Sequence, residues 1–276
     1  MPVDKLTNLI EILKDMQSAL LAFSGGADST FLLKALQISG IKTLAVTASS
    51  EIIPFSEVLA AEKIAKEVGV EHRVLRIGPF AEDFLKNTPE RCFSCKAELF
   101  SNLTETALSD GFRFVLDGTN SDDLMDYRPG QKAASEYHVR SPLIEAGLSK
   151  NEVRELSRQL GLSTWDKPSS PCLATRIPYG RRITSKALKR IERSEDFLRS
   201  LGFQHVRVRD HGHVARIELA EDEIEQVLRP GKRKIISEAL RSLGYKFIAL
   251  DLEGYQSGSM NRILDDNESS WNIQSI

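Results

Sequence analysis

Cysteine is scarce in this sequence: Cys92, Cys95 and Cys172 are the full complement among 276 residues. So few thiols cannot build a disulfide framework. The first seventeen residues carry Asp4, Lys5, Glu11, Lys14 and Asp15 among apolar positions, the pattern of an amphipathic helix and not of a signal peptide. Together these features point to a reducing compartment, the cytoplasm, where thiols serve metal binding or chemistry. Also missing is any apolar run long enough to cross a bilayer, so no membrane is expected as a partner. Charge is balanced too, with 37 Lys plus Arg against 39 Asp plus Glu and a net charge of -2. That leaves no basic field for a long nucleic acid. No Gly-Lys-Ser/Thr occurs, which excludes a Walker-type phosphate loop.

What the sequence does have is alternation. Val3, Leu6, Leu9, Ile10 and Leu13 recur at helical spacing, and the apolar run at 18–23 reads as a buried strand that stops at a Ser-Gly-Gly turn. Next come a helix over 28–39 closed by Gly40, a strand at 42–49, a helix at 55–68, a strand at 72–77, a helix at 95–109 and a strand at 113–116. Such repetition predicts an α/β fold, a parallel sheet with helices on both faces. Residues 118–136 read as a long polar loop, 149–160 as a helix, and 162–181 as an irregular stretch holding Pro168, Pro171, Pro178 and Gly180. The domain boundary is expected at its end, giving residues 1–180 and 181–276. The second domain reads as a small α+β unit of ferredoxin-like kind: a helix at 184–201, strands at 204–209 and 213–219, one or two helices between 221 and 242, and a strand at 245–251. The polar tail after Gly258 is expected to be mobile.

Three groups of residues carry chemistry. A buried strand ending in Ser24-Gly25-Gly26, with a helix beginning near Asp28, aims backbone N-H groups and a helix N-terminus at one point, which suits an anion. Ser24, Ser29 and Thr30 add hydroxyls, and Asp28 either caps the helix or holds a magnesium ion that bridges to phosphate. The plain alternative is a strand-to-helix turn with a capping Asp. Cys92-Phe93-Ser94-Cys95 stands just before the expected helix, and Cys172 lies in the proline-rich stretch. Their spacing is compatible with an iron-sulfur cluster that leaves one iron open, with a structural zinc site completed by a residue such as His72, or with scattered thiols. Lys96 and Arg176 are cations that the chain brings near the cysteines. Arg207 and Arg209 alternate along one strand and so share a face, where two guanidiniums repel unless an anion lies between them. That anion is either a ligand phosphate or carboxylates of the chain itself. His205, His211 and His213 read as turn and surface residues.

The Ser24 to Thr30 loop resembles the signature Ser-Gly-Gly-x-Asp-Ser of the PP-loop ATP pyrophosphatases, an adenine nucleotide alpha hydrolase-like group that includes GMP, NAD and asparagine synthetases and tRNA-thiolating enzymes. Four further stretches extend the likeness across nearly the whole chain: Asp117-Gly118-Thr119-Asn120, the loop from Asp126 to Ala133, the run from Trp165 to Gly180, and the strand pair Val206–Arg209 with Ala215–Leu219. These look like the LarE family, ATP-dependent sulfur transferases of nickel-pincer nucleotide cofactor biosynthesis. The resemblance implies that a carboxylate of pyridinium biscarboxylic acid mononucleotide is adenylated and converted to a thiocarboxylate. It implies ATP on Ala22, Ser24, Gly25, Gly26, Asp28, Ser29, Thr30, Ser49, Asp117 and Gly118, with magnesium on Asp28. Catalytic roles fall to Asp28, Lys96, Cys172 and Arg176, and substrate binding to Arg176, Arg207 and Arg209. One branch of the family sacrifices a cysteine of the proline-rich loop, and another holds a 4Fe-4S cluster on three cysteines. With Cys92, Cys95 and Cys172 this chain looks like the cluster branch. Partners implied are a small nucleotide substrate, sulfide or a sulfur-donor protein, and further copies of the chain in a homo-oligomer. Competing readings are a tRNA-thiolating enzyme, sacrificial donation from Cys172, an amidating ligase of the NAD synthetase type, and a non-enzymatic binding protein.

Overall fold

The computed structural model describes residues 2–125, 129–168, 170–256 and 259–262. They form two compact units, Met1–Leu85 with Pro89–Cys172, and Lys86–Thr88 with Leu173–Ile276. The first unit opens with α1 (Pro2–Met16), β1 (Ser18–Ala22), α2 (Ala27–Ser39), β2 (Lys42–Ser49), α3 (Phe55–Val68) and β3 (Glu71–Arg76). A single turn, α4 (Glu82–Leu85), precedes α5 (Arg91–Asp110) and β4 (Phe114–Leu116). Three helices close the unit: α6 (Pro129–Glu136), α7 (Pro142–Glu145) and α8 (Lys150–Gln159).

All four strands are parallel, in the order β3-β2-β1-β4. Period-two alternation deals their side chains to two cores. Ala19 and Leu21 of β1 and Ala45 of β2 join Leu9, Leu13, Phe31 and Leu156 from α1, α2 and α8. Leu20, Leu44 and Val46 face the other way, onto Phe100 and Leu103 of α5 and Ala133 of α6. Helices therefore cover both faces of the sheet, as the alternation of elements predicts, and each Leu or Phe buried this way stabilises the fold by about 1.5–3 kcal/mol. From β1 the chain runs outward to β2 and β3, then returns to lay β4 on the other side of β1. Strand order reverses there, and the crevice outside the carboxyl ends at such a point is where open α/β sheets bind ligands.

Two stretches differ from expectation. Helix α5 begins at Arg91, so Cys92 and Cys95 lie inside its first turns and not ahead of it. Glu90 at the N-cap makes no side-chain capping bond, so no residue type marks the true start. Residues 118–136 hold a 3-10 turn (Ser121–Met125) and α6 in place of one long loop. Eight residues are too short to show a helical period, and α6 is held by tertiary packing of Ala133 and Ala134. Residues 126–128 of the family-like loop and the tail beyond 262 lie outside the described residues.

The second unit contains α9 (Ser185–Ser200), β5 (Arg207–Asp210), β6 (Val214–Glu218), α10 (Ile224–Leu228), α11 (Pro230–Ser242) and β7 (Phe247–Leu250). Thr184 caps α9 by accepting from the Ala187 N-H at 3.2 Å. β5 and β6 form an antiparallel hairpin, and the chain crosses over through α10 and α11 to set β7 parallel to β6. The result is a three-stranded mixed sheet, unlike the ferredoxin-like order expected, with Val208, Ile217, Leu198, Phe203 and Leu240 in its core.

Candidate active site

β1 ends at Ala22, and the chain turns through Ser24, Gly25 and Gly26 into α2. Gly25 sits at φ +68°, and a Cβ there would come within 3.0 Å of Ala61 on α3, so both conformation and space demand glycine. Gly26 is the N-cap and offers no side chain to the first amides of α2, which suits them to an anion. Ser24 Oγ lies 3.0 Å from Ser29 Oγ, which in turn donates to the Gly26 carbonyl at 3.3 Å and braces the turn. From the end of β4, Gly118 presses on the same helix start: a Cβ there would meet the Ser29 nitrogen at 3.0 Å.

The loop forms one wall of a cleft of about 380 Å³, within the range of small-molecule sites. Ala22, Ser24, Gly26 and Asp28 line it, with Val46 and Thr47 of β2, Glu57 of α3, Lys150 and Arg154 of α8, and Lys167 and Cys172. Gly25, Ser29 and Thr30 shape the loop from behind this lining. Ser49, expected beside the nucleotide, does not line the cleft; its neighbour Ala48 does, one residue back along the pleat. Asp117 is nearly buried and accepts from the Thr119 N-H (3.2 Å), Thr119 Oγ1 (2.7 Å) and Ser141 Oγ (2.7 Å), so its carboxylate holds the β4 loop rather than facing the cleft.

Asp28 is the acidic group of the lining nearest the loop. Burial raises its pKa, the Asn120 amide 3.2 Å from Oδ1 opposes this, Asp123 adds to it, and the net direction is upward. A carboxylate pushed up by burial and by a second carboxylate is one that a divalent cation would relieve, so the donor set fits magnesium. Lys150 and Arg154 stand one turn apart on α8. A capping box between Ser149 and Glu152 fixes that helix start, and Lys5 of α1 bonds Glu152 at 2.8 Å, holding its carboxyl down at about 2. Lys167 is engaged differently: Nζ donates to the Gly25 carbonyl at 3.0 Å and to Glu57 Oε2 at 2.8 Å. Sequence reasoning assigned no role to these three cations. The i, i+4 spacing of Lys150 and Arg154 just after a Ser-x-x-Glu cap was the signal for two of them.

On the cleft floor, Thr47 Oγ1 donates its one proton to the Phe23 carbonyl at 2.8 Å and lies 2.8 Å from His72 Nε2. The hydroxyl proton is already committed, so His72 must donate through Nε2. Burial lowers the pKa of that ring. A zinc site shared by His72 and the cysteines is not formed: among the described residues no three His, Cys, Asp or Glu side chains gather closely enough to hold a single metal ion.

Cys92 and Cys95 are one turn apart on α5, Cys92 exposed and Cys95 partly buried. Burial pushes the Cys95 thiol up to about 12, and the proximity of Cys172 and Cys92 adds to the rise. The Cys95 thiol thus feels both other cysteines. Lys96 is drawn away from the cleft. Its stem lies against Gly130 of α6, and its ammonium sits 5.7 Å from the Phe100 ring centroid.

The arginines expected on substrate lie in the second unit, and two of them are closed on carboxylates. Arg176 is 1% exposed and donates from Nε and Nη2 to Glu195 at 2.9 and 3.1 Å. Burial works to raise the Glu195 pKa, but Arg176 prevails and the carboxyl is held below its ordinary value. Arg209 donates likewise to Glu218, at 2.9 and 2.6 Å. The shared face read from the alternation needs an anion, and for Arg209 the chain supplies it from the facing strand. Arg207 differs. Its guanidinium lies 5.2 Å from the Tyr255 ring centroid, and burial together with the like charge of Arg176 lowers its pKa.

A four-stranded parallel sheet with a Ser-Gly-Gly-x-Asp-Ser turn at its switch point, opening on a cleft lined by cations, defines the PP-loop class of ATP-using proteins. A solved structure of NMN synthetase from Francisella tularensis shares this fold over 62% of the present chain and 76% of its own, with a TM-score of 0.51 and 22% identity. Across 263 residues the chain is 41% identical to pyridinium-3,5-bisthiocarboxylic acid mononucleotide synthase of Lactiplantibacillus plantarum, covering 94% of this chain and 95% of that one. It is 42% identical over 262 residues to an uncharacterized protein of Synechocystis sp., covering 94% and 98%. No protein-family model matches. The chain belongs to the LarE family of pyridinium-3,5-bisthiocarboxylic acid mononucleotide synthases. Among the described residues no helix is long and apolar enough to cross a membrane.

Proposed function

We propose that this chain is an ATP-dependent sulfur transferase that converts a carboxylate of pyridinium biscarboxylic acid mononucleotide into a thiocarboxylate. The observation that carries this reading is Cys172 on the lining of the same cleft as the Ser24–Asp28 phosphate loop, which supports sulfur chemistry beside the point where ATP would be opened. A carboxylate resists attack by sulfur until one oxygen becomes a leaving group. Its oxygen attacks the α-phosphorus of ATP, pyrophosphate departs, and an acyl adenylate remains. Loop amides, Lys150 and Arg154 would take the charge of the departing pyrophosphate, with magnesium on Asp28. Attack of sulfide at the acyl carbon then expels AMP and leaves the thiocarboxylate.

Cys92, Cys95 and Cys172 are the residues that would hold a 4Fe-4S cluster, which supplies an open iron able to carry sulfide. By family likeness Arg176, Arg207 and Arg209 are the guanidiniums that would meet a substrate phosphate, and Glu195 and Glu218 would hold Arg176 and Arg209 in place for it. A cytoplasmic homo-oligomer served by sulfide or a sulfur-donor protein completes the reading. The test is an anaerobic assay with ATP, magnesium, sulfide and the pyridinium mononucleotide, following pyrophosphate and thiocarboxylate together with iron and acid-labile sulfide in the protein. More than one thiocarboxylate per chain supports the cluster route; a yield capped at one, with Cys172 consumed, replaces it by sacrifice. Pyrophosphate release without thiocarboxylate would sink sulfur transfer altogether.

A further inference from the structure

The Lys167 ammonium lies between two groups of the phosphate-loop wall, the Gly25 carbonyl at 3.0 Å and Glu57 Oε2 at 2.8 Å, and 142 residues of sequence separate it from Gly25. Its own backbone is held as well. The Lys167 N-H donates to the Thr164 carbonyl at 3.1 Å, and the Arg154 guanidinium reaches the Lys167 carbonyl at 3.5 Å. Cys172 follows five residues later, with Pro168 and Pro171 between. Proline locks its own φ and keeps the residue before it out of the helical region, which narrows the backbone at Lys167, Pro168, Ser170 and Pro171. Five residues span at most about 17 Å when fully extended, so a residue fixed at Lys167 sets an outer limit on how far Cys172 can stray from the loop wall.

We propose that Lys167 is a positioning residue that ties the cysteine-bearing stretch to the phosphate loop, so that sulfur stays beside the point where the adenylate forms. The proposal deepens the sulfur-transfer reading and rests on it for its activity arm. Lys167 serves here as a strut: its ammonium is spent on Gly25 and Glu57, both in the loop wall. Neither Lys150 nor Arg154 can substitute, because both are carried on α8 and not on the stretch that leads to Cys172.

The experiment compares the unaltered protein with Lys167→Met, which keeps the stem and removes the charge, and with Lys167→Arg. Hydrogen exchange of the peptide covering residues 165–176 is measured with and without a non-hydrolysable ATP analogue, and pyrophosphate and thiocarboxylate are counted under turnover. In Lys167→Met, exchange in that peptide rises about fivefold or more while α2 keeps its protection, as expected for a locally released segment. Pyrophosphate release falls no more than about threefold with little change in KM for ATP, while thiocarboxylate formed per pyrophosphate falls about tenfold or more, the scale on which a misplaced reactant loses rate. Lys167→Arg restores most of both. Unchanged exchange, or pyrophosphate and thiocarboxylate falling together with nucleotide affinity, overturns the strut, since Lys167 would then be inert or a plain nucleotide contact. If the exchange result holds but the unaltered protein makes no thiocarboxylate, the sulfur-transfer reading fails and the tie itself stands.

Discussion

The two units handle positive charge in opposite ways. In the first, Lys150 and Arg154 line an open cleft beside the phosphate loop. In the second, Arg176, Arg190 and Arg209 are each closed on a buried carboxylate, Glu195, Asp210 and Glu218 in turn. A buried ion pair costs so much desolvation that it adds little net stability, yet removing one partner leaves a stranded charge. Arg176 and Arg209 therefore look like binding residues in sequence and are paired with carboxylates within the fold. Lys150 and Arg154 of the first unit carry only a helical spacing as their mark in sequence, and they line the cleft.

The sharpest way to break this contrast is Glu195→Ala. It removes the carboxylate that both Nε and Nη2 of buried Arg176 bond and should lower stability by about 3–5 kcal/mol, read by urea denaturation. A loss under 1 kcal/mol would mean that Arg176 is free to serve a ligand after all. Asp28→Asn should do the reverse in the first unit: pyrophosphate release falls about a hundredfold, some 2.7 kcal/mol of transition-state stabilisation. Its stability should rise, because the folded Asp28 pKa lies above the unfolded one and the ionised group opposes folding. That gain is present at neutral pH and vanishes as pH falls below the unfolded carboxyl pKa; a destabilised Asp28→Asn protein would refute the assignment.

Smaller effects sharpen the same comparison. Lys150→Ala and Arg154→Ala should each raise KM for ATP about tenfold with no shift in melting temperature, since among the described residues neither closes on a carboxylate. A drop in melting temperature without a change in KM would make them framework like their counterparts. Glu152→Gln should cost less than about 1 kcal/mol, because its pair with Lys5 is partly exposed. The lowered Glu152 pKa means that the pair contributes fully above the unfolded carboxyl pKa and is lost as pH falls through about 2, so the variant and the unaltered protein should converge in strong acid.

The parts legible in the sequence were those written in local residue types. Strand, glycine turn and helix around Gly25 are set by neighbours in the chain, and the sheet follows from alternating elements. Glu218 as the partner of Arg209 was only partly legible, because the hairpin register sets Glu218 opposite Arg207 and Arg216 opposite Arg209, which leaves Glu218 a diagonal neighbour of Arg209. Glu195 as the partner of Arg176 was not: a helix residue 19 positions away leaves no local mark. The same holds for Lys167, whose contact with Gly25 exists only once the sheet has formed. The start of α5 escaped notice because its N-cap makes no side-chain bond, and that one-turn error hid the fact that Cys92 and Cys95 share a helix face.

The chain of contacts from His72 through Thr47 to the Phe23 carbonyl has a bearing on acid tolerance. Because His72 already donates through Nε2, a proton arriving at low pH can bind only Nδ1, on the far side of the ring. Thr47 then keeps its direction and the Phe23 carbonyl keeps its donor. The strand end that feeds the phosphate loop is thus insulated from the titration of the one histidine in its hydrogen-bond chain.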